Sequence, residues 1–527
     1  MRKLLLIAAG AVAILFVGAL SFIYMRQGAV VAAFSEKTGL AIASPQFSVW
    51  PRFSIAAPNM TVPSGNGTLA DFGEIHIYPK GGLFSFGKAE IAEVVLDHPR
   101  LELVIDRDGN SNWLWTSIPG LPVRINDGTL RFHDDRSNTT SEIGSVAANA
   151  AVDDETGGLS LKGSFVWNKR PSNFTLYIKS PQRLAASGSA IDLTLQAPSL
   201  GFEFSGLASI ANDAGLAGQA SVSSDNLELL AEWFDAMLPA SFSNAKITLD
   251  GAFTARRTGI VFRDSHFIFN DMKGQGDVGL ALRDGRPQAE IRAGMDQVDI
   301  NAVTGAADAG GPSPLLAEWP TTRLDFSALR TFDATINLSA NKIIYGHYQI
   351  GPGHLTLKAA GGKVDIALAD ATFEGGSASG QMTLDGSGET PAIKLNFNGS
   401  DMDGEGALAS FVGLSNLKGK LSAGLAVETS GTSLAEMISR LSGQATFRSV
   451  NGTLAMVDLG RMAGAVTERV LEGWQAEPSL ATPFDAFSGT FRIADGVAKT
   501  DALILTSPAL MITSRGEIDL LRQAVDL

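Results

Sequence analysis

The stretch Lys363-Val-Asp-Ile-Ala-Leu-Ala369 decides how this chain is read. Val364, Ile366 and Leu368 alternate with Asp365 and Ala367, a period of two that places the apolar side chains on one face of an extended strand. The same alternation recurs at Ile336/Leu338, Leu355/Leu357, Met382/Leu384 and Ile393/Leu395/Phe397. Earlier in the chain it appears at Leu101/Leu103/Ile105, Ile247/Leu249 and Val261 to Phe269. The runs are punctuated by Asp127-Gly128, Asp250-Gly251, Asp284-Gly285, Gly361-Gly362, Asp385-Gly386 and Asp495-Gly496. Such pairs tolerate the positive φ of two-residue turns, so the spacing predicts short strands joined by hairpins, roughly 25–35 in all. The expected fold class is mainly β: a long twisted antiparallel sheet with an apolar groove and a few short amphipathic helices, preceded by an N-terminal transmembrane helix.

Composition narrows the function. Apolar residues make up 45% of the 527 positions and charged residues 18%, which excludes a disordered chain. The formal net charge of −14 argues against a nucleic-acid partner, because phosphate neutralisation needs a basic face. There is no cysteine, so disulfides, thiol nucleophiles and Cys-ligated metal sites are all ruled out.

Residues 4–24 form 21 consecutive uncharged positions, LLLIAAGAVAILFVGALSFIY, enough for a helix spanning roughly 30 Å of hydrocarbon. The anchoring side chains are Leu4, Leu5, Leu6, Ile7, Val12, Ile14, Leu15, Phe16, Val17, Leu20, Phe22, Ile23 and Tyr24. The run is too long for a cleaved secretory signal. Arg2 and Lys3 favour a cytoplasmic N-terminus with the rest outside, which in a Gram-negative bacterium is the periplasm. The expected organisation is an anchor (1–25), an N-terminal β-rich region (26–304), a Gly/Pro linker (305–320) and a C-terminal β-groove region (321–527).

Three helices are expected, at 227–238, at 433–441 behind the capping box Ser433-x-x-Glu436 and ending at Gly443, and from Asp458 to about Gly473. A weak repeat, Gln219–Phe234, Glu290–Gly305 and Lys394–Phe411, runs strand, then Asp225, Asp296 or Asp401, then an apolar segment able to start a helix. Asp suits a helix N-cap there.

Several motifs look chemical without supporting chemistry. Gly274-Gln-Gly276-Asp-Val-Gly279 matches a dinucleotide fingerprint but is followed by an alternating strand rather than the required helix. A calcium loop starting at Asp106 would need Gly at 111 and Glu at 117, where the chain has Ser111 and Ser117. His133-Asp134-Asp135 reads as a solvated turn, and His347 and His354 lack a third ligand. No catalytic residue, metal site or cofactor is expected, and the chain is read as a non-enzyme.

Two stretches resemble the AsmA family. Near the start these are Thr38-Gly39, Phe47-Ser-Val-Trp50-Pro51 and Val94-Val-Leu96-Asp-His-Pro99-Arg-Leu101-Glu-Leu103, followed by Gly109-Asn-Ser-Asn112-Trp113 and Val123–Phe132. Near the end these are Leu441-Ser-Gly443, Asn451-Gly452, Val457-Asp458-Leu459, Phe491-x-Ile493-x-Asp495-Gly496-Val497 and Gly516-x-Ile518-Asp519-Leu520. Pro99, Gly109, Asn112, Trp113, Asp458, Asp495 and Gly496 are thus motif residues with structural roles. Family members usually continue beyond the Gly516–Leu520 strand, whereas this sequence stops at Leu527.

The resemblance implies a membrane-anchored, bridge-like lipid-transfer protein, a periplasmic conduit or chaperone contributing to phospholipid transport to the outer membrane and to envelope integrity. Candidate groove positions are Ile336, Leu338, Leu355, Leu357, Val364, Ile366, Leu368, Ile393, Leu395 and Phe397. The partners implied are phospholipid acyl chains and the inner membrane, with an outer-membrane or periplasmic protein as a further class. The alternative is a structural or assembly-helper protein for outer-membrane biogenesis that pairs strand edges with protein partners.

Overall fold

The computed structural model describes the chain except for residues 1, 51, 59, 65–66, 85–88, 109–111, 113–120, 137, 154, 185, 211–213, 235–241, 243, 284–285, 305–318, 347, 413–415, 456–480, 509 and 527. The side chains of residues 2–16 and of a few positions in other elements also lie outside the description. The chain divides into two compact units, 1–237 with 252–257, and 238–251 with 258–527. Both are mainly β, with 32 strands among the described residues.

The first unit opens with helix α1 (Arg2–Thr38). Gln27, Val30 and Phe34 are buried along one stripe of it, at the spacing of a single helical face. Val30 and Phe34 pack on Phe53, Ile55, Ile75, Ile77, Ile91 and Val94, and burial of each is worth about 2 kcal/mol. Gly39 takes φ +71° and its N–H reaches the Ser35 carbonyl at 2.9 Å, which ends the helix. Strands Gln46–Ser48, Ser54–Pro58, Glu74–Pro79 and Ile91–Asp97 then pair antiparallel. Val123–Asp134 lies parallel to Ile91–Asp97 along its first half and to Arg100–Ile105 along its second. From Thr139 to Ser224 the chain is an antiparallel meander of six strands, closed by α2 (Leu227–Trp233).

In the second unit Gly259–Phe269, Met272–Arg283 and Arg286–Met295 are antiparallel neighbours. Asp333–Ala340 then returns parallel to Arg286–Met295, so the strands flanking the 305–320 segment are hydrogen-bonded to each other. Between them lie Val298–Asp299 and α3 (Ile300–Thr304). Val298–Asp299 joins Ile343–Tyr345 and Tyr348–Ile350 in a small separate sheet. An antiparallel meander runs from Gly353–Ala360 to Ala524–Asp526, interrupted by α4 (Gly404–Val412) and α5 (Leu434–Ser439).

The mainly β expectation holds, but the sheets are mixed rather than wholly antiparallel, and many strands run to 10–14 residues. Asp127-Gly128 and Asp250-Gly251 are not turns: they lie inside Val123–Asp134 and Ile247–Arg256. Asp127, Asp264, Asp370 and Asp401 all take φ near +50° at places where the strand register slips. A short polar side chain tolerates that conformation, and the bulge it makes twists and bends a long strand. Gly361-Gly362 and Asp495-Gly496, by contrast, are the expected tight turns, with positive φ at both residues.

The strand–cap–helix repeat forms, but its caps are other residues. Asn226 Oδ1 accepts from Leu229 N at 2.9 Å. Asp299 Oδ1 accepts from Asn301 N at 2.9 Å, and Asp403 Oδ2 from Gly406 N at 2.9 Å. Asp225, Asp296 and Asp401 stand one to three residues too early, and Asp401 serves a bulge instead. Ser433 caps α5 as expected, while Gly443 lies within the strand Ser442–Ala455 rather than at the helix end. The helix expected from Asp458 lies outside the described residues.

Candidate apolar groove

Register in the second unit aligns the apolar face of seven neighbouring strands into two rows. One row runs Ile291, Ile336, Leu357, Ile366, Met382, Leu395 and Val427. The other runs Ala293, Leu338, Leu355, Leu368, Gly380, Phe397 and Leu425. Every residue in both rows is only half-buried. Six strand spacings make the strip about 29 Å long.

On either side of these rows the same face is covered. Val364, Ala334 and Ala359 are buried, with Leu329, Phe332 and Leu384 packed around them. The covering turn, Ser327–Arg330, is tied down by Arg330 Nη1 donating to the Gly386 carbonyl at 3.2 Å. At the other end Ala371, Phe373, Ala378 and Met402 are buried with Ala407 of α4, and Tyr348 and Ile350 of the small sheet pack there too. One strand, Lys363–Phe373, therefore carries a buried residue at each end and half-buried Ile366 and Leu368 between.

The opposite face is polar. Lys363 pairs with Asp385 at 2.9 Å and Lys394 with Glu428 at 2.9 Å. Thr383 Oγ1 donates to Asp365 at 2.7 Å. The Asp385 carboxylate accepts from the Ser387 hydroxyl and from Lys363, which lowers its pKa from 3.8 to about 2. The strip itself offers hydrocarbon and no charge.

Nine of the ten groove positions expected from the sequence thus lie on one apolar face as half-buried residues: Ile336, Leu338, Leu355, Leu357, Ile366, Leu368, Leu395 and Phe397 in the two rows, and Ile393 at the covered margin. Val364 is different, because it is 7% exposed beneath Leu329 and Phe332. The first unit carries a comparable face that the sequence reading did not single out. There Leu161, Leu176 and Leu193 align across strands, as do Phe174, Leu195, Phe202 and Val222, all half-buried. Alternation at Leu193/Leu195 and Phe202/Phe204 was the available signal. One end of that face is covered by α2, where Trp233 is buried edge-on to Trp167 at 5.1 Å and donates Nε1–H to the Trp167 carbonyl at 2.9 Å.

Residues 309–503 match the AsmA family. The AsmA-matching segment begins before Asp333–Ala340 and ends within Val497–Thr506, so most of the half-buried strip falls inside it. No curated protein and no solved structure matches the chain.

The motif residues have structural explanations where they are described. Asn112 donates its backbone N–H to the Val104 carbonyl at 2.9 Å, accepts from Val104 N at 2.8 Å through Oδ1, and donates Nδ2–H to the Glu102 carbonyl at 2.8 Å. One asparagine thereby substitutes for a neighbouring strand along the edge of Arg100–Ile105. The Pro99 carbonyl accepts from Thr129 N at 2.8 Å, starting the parallel pairing. Gly496 takes φ +74°, and a side chain there would meet the Ile438 carbonyl of α5 at 2.6 Å. Asp495 supplies the preceding turn residue. Gly109, Trp113 and Asp458 lie outside the described residues.

Among the described residues no group of three His, Asp or Glu side chains could hold a metal ion. His133 bonds to Thr140 at 2.7 Å and Asp135 at 2.9 Å, as in a solvated turn. Gly274–Gly279 lies within the strand Met272–Arg283. Among the described residues no helix is long and apolar enough to cross a membrane. The side chains of residues 4–16, which begin the apolar run of α1, are outside that description.

Proposed function

We propose that this protein is an inner-membrane-anchored, periplasmic conduit or chaperone for phospholipid acyl chains, serving transport toward the outer membrane. The observation that carries the reading is the half-buried strip between two covered margins, most of it within the AsmA-matching segment. An apolar strip this long is uncommon on a protein surface unless something occupies it. Each lipid methylene buried there contributes about 0.8 kcal/mol, and no charged side chain in the two rows fixes the chain's position. Such a surface holds acyl chains with little selectivity and lets them slide, without catalysis. The anchor in this reading is the uncharged run Leu4–Tyr24, with Arg2 and Lys3 on the cytoplasmic side.

The test is photocrosslinking. A photoreactive residue at Leu395 of the full-length protein in vesicles should capture phospholipid, while one at the outward-facing, exposed Asn396 should not. Equal capture at both positions, or none at Leu395, would count against the conduit.

A further inference from the structure

The loop after α1 carries a group of exposed apolar residues that neither the groove nor the core uses. Trp50 is 83% exposed, Val49 51% and Phe47 43%. Their placement along α1 follows from the chain path. After Gly39 the chain doubles back: Leu40 and Ile42 pack on the cluster that holds Val30 and Phe34, and Gln27 Nε2 donates to the Pro45 carbonyl at 2.8 Å. By residue 45 the backbone is therefore level with residue 27 of the helix, some 16 Å back from its C-terminal end. Gln46–Ser48 is extended and pairs with Ser54–Pro58, so Trp50 stands near the tip of a hairpin. The three extended residues Gln46–Ser48 cover about 10 Å. Val17 and Leu20, within the apolar run of α1, are themselves 61% and 44% exposed. Ile23, four residues nearer the apolar run than Gln27, still packs on the cluster that holds Phe53, the first buried residue after the tip.

We propose that the Phe47–Trp50 hairpin tip inserts into the interfacial layer of the bilayer that α1 enters, forming with Tyr24 an aromatic contact that seats the first unit on the lipid surface. The proposal rests on the anchor reading given above. Tyr24, the last residue of the apolar run, is 75% exposed, and Met25 after it 73%. Trp and Tyr favour the headgroup level because an apolar ring carries a polar edge. Ser48 Oγ–H donates to the Trp50 carbonyl at 2.8 Å, so the tip is shaped before it meets lipid. A helix docked along a buried stripe, plus a second contact beside it, would fix the unit's tilt where a lone helix would let it swivel.

The absence of cysteine makes the test clean, since one introduced thiol is the only one labelled. Full-length Val49→Cys, Tyr24→Cys and Thr175→Cys, each with an environment-sensitive fluorophore, are reconstituted in phosphatidylethanolamine–phosphatidylglycerol vesicles containing acyl-brominated lipid. Thr175 is exposed in the strand Arg170–Ile178 and reports solvent. The proposal expects quenching at 49 and at 24 several-fold above that at 175. It also expects Trp50→Asp, in the Val49→Cys background, to abolish the quenching at 49 without altering circular dichroism. Quenching at 24 with none at 49 overturns the hairpin contact and leaves the anchor standing. No quenching at either position overturns both. Photocrosslinking at Leu395 is read separately, so failure of the hairpin contact is distinguishable from failure of the conduit.

Discussion

Val364 and Ile366 are two residues apart on one face of one strand, yet they are buried to different depths. Val364 is buried in a cluster with Leu329 and Phe332, and Ile366 packs at the edge of the same cluster as a half-buried residue of the strip. Val364→Asp places a carboxylate in a closed apolar contact and should destabilise the protein by about 3 kcal/mol or more. Ile366→Asp leaves its carboxylate partly hydrated and should cost clearly less stability than Val364→Asp while losing acyl-chain capture. Thermal melts with crosslinking on the same two variants check both statements. Alternation alone reads the two residues as equivalent, because it reports which face a side chain takes and nothing about what covers that face. The cover here comes from Leu329 and Phe332, some 30 residues earlier in the chain.

On the polar face, Asp385 is held below its ordinary pKa of 3.8, at about 2, by Ser387 and Lys363. A depressed carboxylate pKa contributes stability that is complete above the ordinary value and lost as pH falls through the folded one. Asp385→Asn should therefore lower the melting temperature at neutral pH, with the difference from wild type shrinking between about pH 4 and pH 2. A difference that stays constant across that window would show that the ionised carboxylate is not the source.

Among the elements, α5 shows how far a local motif can be read. Ser433 Oγ accepts from Glu436 N at 3.3 Å, as the capping box requires. Glu436 reaches one residue further back than expected, accepting from Thr432 N at 2.7 Å and from the Thr432 hydroxyl at 2.8 Å. Ser433→Ala should cost about 1 kcal/mol in chemical denaturation, and Ser433→Asp should restore most of it. The bulges were legible only in part. An Asp-Gly pair offers positive φ both to a hairpin and to a bulge, and only pairing across the sheet selects between them. That is why Asp127-Gly128 reads as a turn and folds as a bulge, while Asp495-Gly496 reads and folds as a turn. The parallel return of Asp333–Ala340 to Arg286–Met295 is invisible locally, because the two strands are nearly 40 residues apart. The Trp167–Trp233 contact that covers the first unit's face is equally nonlocal.

For the molecule as a whole, function rests on hydrocarbon occupying the strip of the second unit. Gly380 offers a way to fill it without disturbing the fold. It lies in the second row between Leu368 and Phe397, and a Cβ there would meet the Asn396 carbonyl at 3.5 Å and the Phe397 ring at 3.9 Å, ordinary contact distances. Gly380→Phe should therefore fold with an unchanged melting temperature and place a ring where a lipid tail would lie. The decisive measurement is phospholipid captured by full-length protein carrying a photoreactive group at Leu395, with and without Gly380→Phe. Robust capture that the phenylalanine reduces several-fold is the predicted result. Capture that the phenylalanine leaves untouched in a folded protein would contradict it.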